Sequence, residues 1–184
     1  ISIGESAFEG DLTLREAGLP NSISRLNKNT FKGCISLGTV KLPEDLRYVE
    51  TGVFSGCTSL TTIELPLNTT RVSEEAFEDC VNLIYIVAPD RCSYTFNGDE
   101  FINATYFKYA PKGSGVEITY ARPGRNIHEL IIPKTIAGKP VVSIGDNAFA
   151  PENSARAAAY SEEKSGLVSV VIPDTATSIG NGAF

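Results

Sequence analysis

The side chains best suited to acid–base, nucleophilic or metal chemistry are few here: one histidine, His128, and four cysteines, Cys34, Cys57, Cys80 and Cys92. His128 has no H-E-x-x-H or G-x-S-x-G pattern around it, so the partner a catalytic or metal-bound imidazole needs is missing from its surroundings in sequence. It reads as a solvated residue beside a strand start. Cys34, Cys57 and Cys80 recur every 23 residues, and no C-x-x-C pair is present to begin a zinc site. Three thiols at one position of a stacked coil would stand about 4.7 to 5 Å apart. That is within disulfide range, yet parallel side chains oppose an S–S torsion near 90°, and three equivalent thiols cannot all pair. A buried column of thiols acting as compact hydrophobes is expected. Cys92, outside the register, leaves a bridge to Cys80 open. No G-x-x-x-x-G-K-[ST] loop supports nucleotide binding. The sequence therefore predicts no enzyme, no cofactor and no metal.

The elements that position these residues follow from the same period. Phe8, Phe31, Phe54 and Phe77 share it, as do Pro20, Pro43, Pro66 and Pro89, and Leu14, Leu37, Leu60 and Leu83. Ahead of each proline runs an apolar-x-apolar step of period two, such as Val40-Lys41-Leu42, which predicts a short strand ended by the proline. A second apolar position at Ile3, Leu26, Val49 and Val72 predicts another extended segment on a different side of the coil. A Gly or small polar residue precedes Ala-Phe at Ser6-Ala7-Phe8 and Asn147-Ala148-Phe149, which suits one capped helical or 3₁₀ turn. The inward residues of a single 23-residue coil cannot offset the entropy of ordering it, so the coils must stack.

The units Phe31-Lys32-Gly33-Cys34-Ile35-Ser36-Leu37 and Phe54-Ser55-Gly56-Cys57-Thr58-Ser59-Leu60, each leading to Leu-Pro, resemble the BspA-like surface-antigen class of leucine-rich repeats. The resemblance runs through 1–89 and returns at 127–184, where Leu130-x-Ile132-Pro133 and Val170-x-Ile172-Pro173 restore the strand. It implies an α/β repeat solenoid, a right-handed superhelix with short parallel strands and short helical turns. It also implies a secreted or cell-surface protein, commonly of bacteria that colonise animals, with adhesion to host proteins as the proposed activity. Versions of one motif open and close the sequence at Ile1-Ser2-Ile3-Gly4 and Ile179-Gly180, so an excerpt of a longer array is expected.

The period lapses between Asp90 and Asn126, where seven of the 16 aromatic residues gather. Thr105–Tyr109 and Val116–Tyr120 flank Pro111-Lys112-Gly113-Ser114-Gly115 and predict a hairpin. A further strand is expected near Ser93–Asn97. The reading is a β module at 90–126 joining two arrays at 1–89 and 127–184, packed so that its aromatics are buried. Twelve extra residues follow Phe149, and alanine-rich Ser154–Lys164 predicts a short helix within 151–166. The pattern N-x-[ST] at Asn68 and Asn103 matters only on a eukaryotic secretory route.

With a formal charge of −6 and a sequence pI near 4.9, the chain has no basic field for nucleic acid. No apolar run reaches the 18 or so residues that span a bilayer. A binding surface is what remains. Outward strand positions fall into two columns, Glu16, Thr39, Thr62, Tyr85, Glu129 and Ser169 beside Gly18, Lys41, Glu64, Val87, Ile131 and Val171. If the arrays share one sheet, Tyr85, Val87, Ile131 and Val171 form an exposed apolar patch, though ordinary strand propensity also accounts for such residues. The sequence thus predicts a monomeric interaction module for an extracellular protein or glycan. A spacer that displays another domain is the alternative. Phe8, Phe31, Phe54, Phe77 and Phe149 and the cysteine column are expected to be structural.

Overall fold

The computed structural model describes residues 2–73, 75–94, 104–124, 126–149 and 167–184. Their strands, in chain order, are β1 (Glu16–Gly18), β2 (Arg25–Leu26), β3 (Thr39–Lys41), β4 (Tyr48–Val49), β5 (Thr62–Glu64), β6 (Arg71–Val72), β7 (Tyr85–Pro89) and β8 (Ser93–Tyr94). Beyond these come β9 (Thr105–Lys112), β10 (Gly115–Arg122), β11 (Glu129–Ile131), β12 (Thr135–Ile136), β13 (Lys139–Ile144), β14 (Ser169–Val171) and β15 (Ser178–Ile179). The expected helix at 154–164 and most of the strand expected at 93–97 fall outside the described residues.

Each coil of 1–89 contributes one strand to each of two rows. The first row pairs β1 with β3 and β5 with β7, parallel throughout. The second is the parallel ladder β2-β4-β6-β8. Between the rows the phenylalanines stack face to face, with centroids 5.2 Å apart from Phe8 to Phe31, 5.6 Å from Phe31 to Phe54 and 5.5 Å from Phe54 to Phe77. Leu37, Leu60 and Leu83 fill the next column of this core. The stack continues edge-on into Tyr94, then Tyr106. A second, shorter stack joins Phe149 to Phe184 at 4.6 Å.

The turns that carry the phenylalanines are not helical, and no helix occurs among the described residues. The solenoid is therefore built on strands and turns, and the α/β class gives way to a β solenoid. The reason lies in where the N–H groups go. Glu9 N bonds to Ser6 O within the turn, but Ser6, Phe8 and Gly10 donate to Lys28, Thr30 and Lys32 on the next coil. Half of the turn's donors thus face along the stack and cannot climb their own turn. Left-handed residues reinforce this: Ser6 (φ 55°), Asn29 (φ 57°), Gly52 (φ 67°), Glu75 (φ 61°), Asn147 (φ 54°) and Gly182 (φ 60°) recur at one register position.

The first row does not end at β7. β9 pairs parallel with it, in the place of a further coil, and then turns back at Gly113-Ser114 into antiparallel β10. β10 pairs parallel with β13, which also pairs with β12 and β15. The hairpin expected at 105–120 is present, with Tyr106, Phe107 and Tyr109 buried. Its alternate residues serve opposite sides: Tyr106 belongs to the first core, while Phe107, Tyr109, Val116 and Ile118 belong to a second core with Leu130, Ile132, Ile136 and Val141. Gly115 lets β13 lie close, since a Cβ there would meet Pro140 O and a Val142 methyl, each at 2.5 Å. β11 and β14 pair parallel in a separate two-stranded sheet.

Candidate functional site

The strand-face residues singled out from the sequence do pair across the rows. Glu16 faces Thr39, Gly18 faces Lys41, Thr62 faces Tyr85, Glu64 faces Val87, Glu129 faces Ser169 and Ile131 faces Val171. Their exposure divides them into three groups. Glu16, Thr39, Lys41, Glu129, Ser169, Ile131 and Val171 are open to solvent, whereas Thr62, Glu64 and Tyr85 are half-buried. Val87 is fully buried, at 0 % exposure.

Val87 corrects the expectation of an outward residue, and with it the apolar patch. The alternation of β7 does aim Val87 away from the first core, but the second core lies against that side, and Val87 packs into it beside Phe107. Tyr85 meets Phe107 edge-on at 6.4 Å. Ile131 and Val171 sit in another sheet, so the four residues expected together are divided between two.

The cover over the strand face is the hairpin β12–β13, whose two-residue turn, Ala137-Gly138, has φ of 51° and 70°. Positive φ at both central residues belongs to the type I′ turn, whose twist suits a tight hairpin. Ala137 N donates to Glu64 Oε2 at 2.9 Å, and the Tyr109 hydroxyl donates to Leu65 O at 3.2 Å. Burial pushes the Tyr85 phenol above its ordinary pKa, the Glu64 charge adds to the rise, and a Thr62 hydrogen bond opposes it. Burial and the same carboxylate push Tyr109 up to about 12, with Arg91 opposing. Glu64, an outward residue by its spacing, thus serves as a contact between β5 and the β12–β13 turn. The sequence reading missed this hairpin; the Ala-Gly pair between Ile136 and Lys139 is the signal that could have found it.

The thiols stand as a buried column, and each also donates a hydrogen bond that the spacing alone did not reveal. Cys34 Sγ lies 3.0 Å from Phe8 O, Cys57 Sγ 3.2 Å from Phe31 O and Cys80 Sγ 3.1 Å from Phe54 O. None of the four cysteines is in a disulfide, so the open Cys80–Cys92 alternative is not realised. Burial pushes Cys57 up to about 12, with Cys34 adding to the rise. It pushes Cys92 up to about 11, against the opposing charge of Lys108. These are poor nucleophiles, because the thiolate is the reactive form. His128 is exposed at the start of β11, and its carbonyl accepts from Val168 N at 2.7 Å and Ser169 N at 3.2 Å. Among the described residues no three His, Cys, Asp or Glu side chains cluster as a metal site would require.

Comparison with known proteins agrees with this geometry. A family model described as BspA type leucine rich repeat region (6 copies) matches residues 1–109, more than half of the chain. A solved leucine-rich repeat protein of T. pallidum is 22% identical with a TM-score of 0.52, the alignment covering 96% of this chain and 64% of that one. A leucine-rich repeat protein from Bacteroides ovatus is 20% identical with a TM-score of 0.56, covering 98% of this chain and 43% of that one. At such identities the likeness concerns the fold, and the chain spans less than two thirds of the length of either. No curated protein matches it. Taken with the period, the parallel rows and the phenylalanine stack, the match over 1–109 shows that this chain belongs to the BspA-type leucine-rich repeat family.

Proposed function

We propose that the chain is a non-catalytic interaction module of a cell-surface or secreted protein, which contacts an extracellular protein or glycan through the sheet of β11 and β14. The observation that carries this reading is the side-by-side pairing of Ile131 and Val171, exposed by 62% and 46%. Adjacent apolar side chains in solvent, bordered by polar Glu129 and Ser169, have the composition of an interface centre within a polar rim. Their strands carry Leu130 and Val170 on the inner face, so the outer pair is held on an ordered support. The family membership supports a repeat array used for binding. The adhesin role and the surface location are part of the proposal.

The test is to immobilise the chain, screen matrix and plasma proteins and glycans, and repeat each positive with Ile131→Ser and Val171→Ser. Binding that both substitutions weaken about tenfold or more fits loss of a central apolar contact. Binding indifferent to both would remove this sheet from consideration. An absence of any ligand would favour the spacer.

A further inference from the structure

The second row of strands presents an outer column that the proposed function does not use. Arg25, Tyr48 and Arg71 are Cα partners on adjacent strands β2, β4 and β6. The Cα atoms of the two arginines therefore stand about 9.5 Å apart, two strand spacings, with that of the tyrosine between them. The Arg25 guanidinium lies over the Tyr48 ring at 4.6 Å and is held by Glu50 Oε1 at 2.5 Å. Arg47, next to Tyr48, and Arg71 are both exposed, and neither has a carboxylate partner among the described residues. On a chain with formal charge −6, three arginines are thus gathered on the strands around Tyr48, Arg25 paired with Glu50 and the other two without a carboxylate among the described residues.

We propose that the column Arg25-Tyr48-Arg71, with Arg47, binds an anionic polysaccharide bearing carboxylate or sulfate groups. A guanidinium presents a planar fork of donors that matches either group in two hydrogen bonds. Arg25 covers one face of the half-buried Tyr48 ring, and the part of the ring left open supplies an apolar contact for the C–H face of a sugar. The backbone spacing of the two arginines is close to the repeat of an extended disaccharide, so a linear chain lying along the stack can bring one acidic group to Arg71 and another towards Arg25. Exposed Glu44 and Asp45 on the preceding turn and Glu75 on the following one confine the positive strip to a single column. That geometry suits a slender polymer lying along the stack and repels a broad polyanion such as nucleic acid.

The experiment passes the chain over immobilised polygalacturonate and immobilised heparin, with dextran as the neutral polymer and polyglutamate as an acidic polypeptide. Retention on at least one acidic polysaccharide is expected, and which one identifies the acid group. The double substitution Arg47→Ala/Arg71→Ala should weaken it about tenfold or more, as loss of charge-assisted hydrogen bonds predicts. Tyr48→Leu should weaken it several-fold, with thermal melting confirming that each variant is folded. Lys139→Ala, a cation lost elsewhere, and Ile131→Ser should leave retention unchanged, which separates this site from the β11–β14 sheet. The proposal is overturned by absence of retention on both polysaccharides, by retention the double substitution does not weaken, by an equal loss with Lys139→Ala, or by polyglutamate binding as tightly.

Discussion

The backbone N–H of Ala137 donates a 2.9 Å hydrogen bond to the carboxylate of Glu64, across 73 residues of sequence. Glu64 is an outward residue of β5, and Ala137 is at the tip of the β12–β13 hairpin. Glu64→Ala should therefore loosen β12–β13 more than it loosens the repeats. Since Glu64 is half-buried and solvent screens its charge, a loss of about 1 kcal/mol is expected, within the range of an ordinary hydrogen bond. Hydrogen exchange faster at Val141 than at Val49 in the variant would check it, and equal acceleration at both would show the contact to be incidental.

The phenylalanine stack makes a graded prediction. Phe54 is fully buried between Phe31 and Phe77, while Phe8 is 39% exposed with Phe31 as its stacking partner. Phe54→Ala should destabilise by about 3 to 5 kcal/mol, and Phe8→Ala by about 1 to 2 kcal/mol. Urea unfolding of the two variants measures the difference.

Two of the described residues with a left-handed backbone carry a carboxylate. Glu75 (φ 61°) and Asp79 (φ 58°) occupy the places held in another coil by Gly52 (φ 67°) and Gly56 (φ 72°). Relief of the Cβ clash outweighs the added unfolded-state freedom of glycine at such sites. Glu75→Gly should stabilise by about 0.5 to 1 kcal/mol, raising the melting temperature by a few degrees. Asp79→Gly should gain less, because aspartate tolerates this region better than glutamate.

Acid should weaken the packing of β10 against β9 and β13. Glu117 accepts a hydrogen bond from Lys112, and another from Ser143 Oγ at 2.9 Å, and together these hold its carboxyl below the ordinary value against partial burial. Folding lowers this pKa, so the stabilisation is complete above the unfolded carboxylate value of about 4.3 and is lost as pH falls through the folded one. The urea midpoint of the parent chain should drop on going from neutral pH to about pH 3. Glu117→Gln should show a shallower drop, and identical profiles would exclude a role for this group.

Much of the chain was legible before any coordinates. The 23-residue spacing of Phe31, Phe54 and Phe77 placed them in one column because every coil repeats the same path, and the same logic placed Cys34, Cys57 and Cys80. The hairpin at 105–120 was visible from two apolar runs about a glycine turn. The turns before each phenylalanine were misread as helical because local pattern does not say where an N–H will point. In a stack the neighbouring coil offers Lys28 O and Thr30 O to Ser6 N and Phe8 N, and the turn opens towards them.

The sequence by itself determined the period, the inward columns and the inside or outside sense of each strand residue relative to its own coil, because these depend on neighbours a fixed number of residues away. Only the tertiary structure decided what becomes of the outward face. Val87 points outward from its coil and is buried all the same, since β9 and β10 reverse the chain and bring Ile132, Ile136 and Val141 against it. Ile131 and Val171, of the same residue types and the same alternation, remain in solvent because no described segment returns over their sheet. Alternation fixes the direction of a side chain, whereas burial depends on which distant surface arrives to meet it.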